Sequence, residues 1–254
     1  MTLTRRLVVC LDVSDGRVVK GTRFVDLRDI GDPAGLAEYY EEAGADEIVF
    51  LDIAATSDER GTILDVVQRT AERLFIPLTV GGGIRTADDV ADALRAGADK
   101  VAINSAAVMR PAILNESSAM FGAQCVVASI DAKLLDGVWR VVTHGGRNMT
   151  DLDAIEWARE CVSRGAGEIL LTSVDHDGSR DGYDLALTRA VADAVAVPVI
   201  ASGGAGSADD VVAAIESGHA DAALVAGILH DNLTTVSTIK ARMRDALLPV
   251  RHAA

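Results

Sequence analysis

Two aspartates stand at matching places in this chain. Asp12 falls near the end of the apolar run Leu7-Val-Val-Cys-Leu-Asp-Val13, and Asp131 near the end of Val126-Val-Ala-Ser-Ile-Asp-Ala132, an offset of 119 residues. A carboxyl carried out of an apolar run is a candidate general acid or base, because loss of water raises its affinity for a proton. Two that face each other can serve one substrate as proton donor and acceptor, provided their environments separate their pKa values. Which of the two donates is left open by the residues. A second signal is glycine. Val80-Gly-Gly-Gly83 and Ser202-Gly-Gly204 let the backbone approach a ligand. Asn104-Ser105 and Ala226-Gly227 follow the next apolar segments, with N–H groups placed to complete an anion nest. One glycine-rich turn is explained by turn geometry alone. Two at related positions read as sites for a long substrate phosphorylated at both ends. A metal is the rival use of paired aspartates, but no His or Glu cluster completes one: His144 and His176 stand alone in loops. The plainer reading, loop caps, suits one aspartate better than a matched pair.

A third group is charged. In a strand, alternate side chains share a face. If Asp12 points one way, Cys10, Val8 and Arg6 follow it, while Leu7, Val9 and Leu11 point the other; Asp131 takes Ser129 and Val127 with it. The same parity turns Arg6, Glu47, Lys100 and Glu168 to one side at the starts of their strands. Two cations and two anions there form either a salt-bridged plug or a gate for a small molecule, and the residues alone do not choose.

The elements that must position these groups come in two copies. Gly44-Ala-Asp-Glu-Ile-Val-Phe-Leu-Asp52 returns as Gly165-Ala-Gly-Glu-Ile-Leu-Leu-Thr-Ser173, and Ile76-Pro-Leu-Thr-Val-Gly-Gly-Gly83 as Val197-Pro-Val-Ile-Ala-Ser-Gly-Gly204, both offset by 121. Gly97-Ala-Asp-Lys-Val-Ala-Ile-Asn104 has a weaker echo in His219-Ala-Asp-Ala-Ala-Leu-Val-Ala226, offset 122. Each copy holds four strand-like segments, ending near Val13, Ile53, Val80, Ile103, Asp131, Thr172, Ser202 and Val225. Helical periodicity covers Pro33–Ala43, Thr62–Leu74, Thr86–Ala96, Ala154–Ser163, Leu185–Ala194 and Ala208–Ser217, with Gly44, Gly97, Gly165 and Gly218 as C-terminal stops. Alternating strands and helices imply right-handed crossovers and a parallel sheet. Eight strands in two equal halves predict a closed (β/α)8 TIM barrel rather than an open sheet, a single domain over 1–254 with half-barrels about 1–123 and 124–254. Such barrels carry their active site at the C-terminal strand ends.

Composition agrees. Apolar residues make up 49% of the 254, led by Ala, Val, Leu and Ile, which suits parallel strands covered by helices. The net charge of −14 argues against a nucleic-acid groove. An anionic ligand must therefore be held by local backbone fields. Cys10, Cys125 and Cys161 lack metal-ligand spacing and read as reduced thiols of a cytoplasmic protein. The apolar run after Arg5 and Arg6 breaks at Asp12, so no signal peptide or membrane span is expected.

Several stretches are specific enough to resemble a known family. They are Cys10-Leu-Asp-Val-Ser-Asp-Gly-Arg-Val-Val-Lys-Gly21, Thr79-Val-Gly-Gly-Gly-Ile84, Gly97-Ala-Asp-Lys100, Gly165-Ala-Gly-Glu-Ile-Leu-Leu-Thr172, Asp175-His-Asp-Gly178, Gly182-Tyr-Asp184 and Ala201-Ser-Gly-Gly-Ala-Gly206. From Arg6 to about His230 the chain resembles the cyclase subunits (HisF) of imidazole glycerol phosphate synthase, in histidine biosynthesis. The resemblance implies that ammonia attacks a ribulosyl aminoimidazole carboxamide nucleotide bearing two phosphates. The adduct cyclises and cleaves to imidazole glycerol phosphate and aminoimidazole carboxamide ribotide. On that resemblance Asp12 and Asp131 match the catalytic aspartates, and Lys20 the lysine of a mobile first loop that closes over the substrate. Asn104, Thr172, Asp177 and Ser202 match polar pocket positions. Gly83, Ser105, Gly203, Gly204, Ala226 and Gly227 fall in the phosphate-binding turns, and Gly178 is a further substrate-binding position. Arg6, Glu47, Lys100 and Glu168 match a charged gate admitting ammonia from a glutaminase subunit docked below, with Asp99 on the partner-facing surface. No metal or redox cofactor is implied. Departures are Gly227, where the family often has serine, Met149 at a usually polar place, and His219, an extra residue before the eighth strand. The sister isomerase of aminoimidazole carboxamide ribotide shares the repeat and the opposed aspartates but needs no ammonia. A non-catalytic phosphosugar-binding scaffold is the reading from a different class.

Overall fold

The computed structural model describes residues 3–22, 25–53 and 60–251. Its elements run β1 (Arg6–Ser14), β2 (Arg17–Thr22), β3 (Val25–Gly31), α1 (Pro33–Glu42), β4 (Glu47–Asp52), α2 (Arg60–Ala71), β5 (Leu78–Gly81), α3 (Ala87–Arg95), β6 (Lys100–Ile103), α4 (Ser105–Met109), α5 (Ala112–Phe121) and β7 (Val126–Leu135). They continue with β8 (Val138–Thr143), β9 (Asn148–Asp153), α6 (Ala154–Ser163), β10 (Glu168–Ser173), α7 (Leu185–Ala192), β11 (Val199–Ser202), α8 (Ala208–Glu216), β12 (Ala222–Val225), α9 (Gly227–His230) and α10 (Val236–Asp245).

Parallel pairing runs β1–β4–β5–β6–β7–β10–β11–β12 and returns to β1, so the eight strands close on themselves in a (β/α)8 TIM barrel. Side-chain alternation then sorts the apolar residues into two cores. Val8, Cys10, Val49, Ala102, Val127, Leu170, Ile200, Ala222 and Leu224 fill the lumen. Leu7, Val9, Leu11, Ile48, Phe50, Ile130, Ile169 and Leu171 face the helix layer. The bulky side chains go outward, where helices cover them; fully burying Phe50 contributes about 1.5–3 kcal/mol.

Polar side chains before each helix explain where the turns end. Asp32, Asp153 and Asp184 accept from backbone N–H groups at the starts of α1, α6 and α7. Thr86 and Ser207 form capping boxes with Asp89 and Asp210, 121 residues apart. The repeat also recurs as an insertion: an antiparallel hairpin follows β1 (β2–β3), and another follows β7 (β8–β9). The sequence periodicity marks neither hairpin, and α5 and α10 supply the helices that the repeat requires after the fourth and eighth barrel strands.

One expected stop is corrected. Gly44, Gly97 and Gly165 adopt positive φ, as left-handed helix stops do, but Gly218 does not; His219 takes that conformation instead (φ 58°) and pairs with Asp193. The residue that lengthened the offset to 122 is thus the one absorbing the left-handed turn.

Candidate active site

Asp12 near the end of β1 and Asp131 within β7 both line one cavity of about 1070 Å³ at the C-terminal ends of the strands. Around them the same cavity is lined by Gly83, Asn104, Ser105, Thr172, Asp177, Ser202 and Ala226. Gly178, Gly203, Gly204, Gly227 and Lys20 are not among its lining residues. The last two nonetheless meet, since the Lys20 ammonium donates to the Gly227 carbonyl at 3.1 Å. The β8–β9 hairpin forms one wall with His144, Gly145, Gly146 and Arg147, and the His144 amide donates to Ser105 Oγ at 3.0 Å. Met149, on β9, is exposed.

The two aspartates have different neighbours. Asn104 Nδ2 donates to Asp131 Oδ2 at 2.9 Å, while the Cys10 thiol lies 3.8 Å from Asp12 Oδ1. Burial is the leading cause that pushes each carboxyl up from 3.8 to about 6. The charge of Asp177 raises both further, opposed by the Cys10 contact at Asp12 and the Asn104 hydrogen bond at Asp131. Burial is the largest cause at both carboxyls, and what differs between them is the partner, the Cys10 thiol at Asp12 and the Asn104 amide at Asp131. Asn104 Oδ1 is buried without a hydrogen-bond partner.

The glycine-rich turns match across the repeat. Gly82 and Gly203 have φ of 89° and 88°, and Asn104 and Ala226 share an unusual conformation (φ −113°, ψ −97°; φ −141°, ψ −79°). A Cβ on Gly82 would overlap the Asp52 carbonyl oxygen, and one on Gly204 the Gly182 carbonyl oxygen. Both glycines are required by close backbone approach.

At the opposite end the four charged residues meet as parity predicted. Lys100 Nζ donates to both Glu47 oxygens at 2.9 Å and to Glu168 at 2.7 Å; Arg6 bonds Glu47 at 2.7 Å and also pairs with Glu168. Thr79 Oγ1 adds a donor to Glu47, which is 1% exposed. Asp99 lies outside this ring, exposed, and its carboxylate accepts from the Leu78 amide at 2.8 Å. Asp46 and Asp221 cap Leu7 and Val199 the same way. The fourth such position holds Gly167, where a Cβ would overlap the Ala123 carbonyl oxygen.

Cys10 and Cys161 are buried and unpaired, and Cys125 is partly so. Among the described residues, no group of three or more His, Cys, Asp or Glu side chains is arranged to hold a metal ion. No helix among them is long and apolar enough to cross a membrane.

A family model described as "Histidine biosynthesis protein" matches residues 6–235. The chain belongs to that histidine-biosynthesis family. It is also similar to the imidazole glycerol phosphate synthase subunit HisF of Myxococcus xanthus (strain DK1622), with 69% identity over 249 residues covering 98% of each chain. The family match spans every barrel strand, from Arg6 to beyond Val225.

What sequence reasoning missed lies in contacts between distant segments. The Asn104–Asp131 bond joins residues whose types were both noted but whose meeting was not. Asp231, which binds Lys20, gave no signal at all: it follows a four-residue helix and belongs to no motif.

Proposed function

We propose that this protein is the cyclase subunit of an imidazole glycerol phosphate synthase, using ammonia to convert the bisphosphorylated ribulosyl aminoimidazole carboxamide nucleotide to imidazole glycerol phosphate and aminoimidazole carboxamide ribotide. The observation that carries this reading is Asp12 and Asp131 lining one cavity between two matched glycine-rich turns, in a chain 69% identical to a synthase subunit. The turns at Gly83 with Asn104-Ser105, and at Gly203-Gly204 with Ala226-Gly227, take the two terminal phosphates through backbone N–H groups. Gly227 offers only its backbone there. Thr172, Asp177, Gly178 and Ser202 bind the middle of the substrate from β10, its following turn and β11.

With both carboxyls near 6, each is mainly ionised above that pH. The proton donor is therefore made during turnover. The carboxylate that takes the proton released as ammonia adds becomes the acid for the elimination that follows, and the other assists ring closure. Lys20 closes the mouth over the substrate. Arg6, Glu47, Lys100 and Glu168 form the gate through which ammonia enters the lumen from a glutaminase subunit docked below, with Asp99 on that face. Their complete mutual pairing equally suits a plug, so passage requires at least one pair to open. The isomerase reading is not favoured, because the close relative is a synthase subunit.

The test is turnover of the ribulosyl carboxamide nucleotide with ammonium salt at alkaline pH by wild type, Asp12→Asn and Asp131→Asn. Wild-type activity that collapses in both variants supports the cyclase and its acid–base pair. A folded wild type that leaves the nucleotide unconsumed refutes it, and full turnover by Asp131→Asn returns the scaffold reading. Co-purification with a glutaminase tests the partner.

A further inference from the structure

The turn after β12 gathers three cations from two other parts of the barrel mouth. Asp231 pairs with Lys20 on β2, with Arg28 on β3 and with Arg180 in the turn between β10 and α7. Its own amide donates to the Gly227 carbonyl at 3.0 Å, the same oxygen that Lys20 reaches at 3.1 Å. Carboxylate and ammonium are thus fixed to one peptide. The platform beneath is anchored by the preceding residue. His230 Nε2 lies 3.0 Å from the Cys10 carbonyl oxygen on β1, and its Nδ1 lies 2.7 Å from the Tyr40 hydroxyl on α1. Lys20 and Asp231 are the enclosed members, at 19% and 21% side-chain exposure against 59% for Arg28 and 44% for Arg180. Exposed pairs hold weakly, so the Lys20 contact is the one that fixes geometry.

We propose that Asp231 is a positioning residue for turnover, a latch that seats the β2–β3 hairpin and the β10–α7 turn on the end of β12 and so holds Lys20 over the eighth-strand turn. An ammonium has three donors. Gly227 and Asp231 use two, which leaves one for a substrate oxygen arriving at that turn. One carboxylate against three cations also leaves the cluster positive, the sign a phosphate requires. The inference rests on the cyclase reading and on Lys20 acting at the substrate.

The experiment compares ammonium-dependent turnover of wild type, Asp231→Asn, Asp231→Glu, Lys20→Ala and the Lys20→Ala/Asp231→Asn double variant, alongside timed trypsin cleavage between Arg17 and Arg28. Loss of the latch charge is expected to lower kcat roughly tenfold, the effect of losing one charge-assisted contact. Glu should largely restore the rate, Asn should cause no further loss on the Lys20→Ala background, and the hairpin should be cut faster in Asp231→Asn. Unchanged kcat with Asn overturns the proposal. So does a lower KM at unchanged kcat, which would make Asp231 a competitor of the substrate phosphate. Equal losses on both Lys20 backgrounds overturn it too, since Asp231 would then act independently of Lys20. If wild type itself is inactive, the cyclase reading fails, and trypsin alone judges the latch: cleavage of Asp231→Asn no faster than that of wild type refutes it.

Discussion

Replacing Asp131 by Asn keeps the shape of the side chain and the acceptor for Asn104 Nδ2, and removes only the charge. In the fold the carboxyl is pushed from 3.8 up to about 6, first by burial. A raised carboxyl binds its proton more tightly when folded than when unfolded, so its contribution to stability is present at low pH. That contribution is lost as pH rises from about 3.8 through about 6. The full difference amounts to about 3 kcal/mol above pH 7. Water at the cavity surface screens part of it, leaving about 1–2 kcal/mol. Asp131→Asn should therefore be the more stable protein at pH 7.5, melting roughly 2–8 °C higher, while losing turnover. The stability gap should shrink to about half its size at pH 5. Equilibrium urea unfolding of both proteins at pH 5 and pH 7.5 measures this directly. A variant no more stable than wild type at pH 7.5, or a gap that widens on acidification, would refute the desolvation argument.

Other expectations follow from single contacts. Asp177→Asn removes a charge that raises both Asp12 and Asp131, so the acidic limb of kcat/KM against pH should move below 6; an unmoved limb would show that Asp177 is screened. Glu47→Ala leaves Arg6 and Lys100 with Glu168 alone, which should cost about 3–5 kcal/mol in urea unfolding. A loss below about 1 kcal/mol would show that water enters to replace it. Ser207→Ala removes half of a capping box and should lower stability by about 0.5–2 kcal/mol with turnover unchanged. A drop in turnover at equal stability would place α8 in the chemistry.

Much of this protein was written along the chain itself. Alternation in Leu7–Asp12 assigned lumen and helix faces correctly, because a strand has a period of two whatever surrounds it. The repeat fixed eight strands, and with them the mouth that Asp12 and Asp131 share. The same parity put Arg6, Glu47, Lys100 and Glu168 on one side, and they do meet in the lumen. What closure decided is which distant groups touch. Both aspartate carboxyls are pushed up chiefly by burial, and that desolvation depends on the surrounding walls, which closure of the barrel supplies. Asn104 reaches Asp131 only because β6 and β7 lie side by side. Asp231 finds Lys20, Arg28 and Arg180 over sequence separations of 211, 203 and 51 residues. The sequence carries the periodicities, which are local. Meetings between charges depend on the three-dimensional path of the chain, and only the folded barrel supplies it.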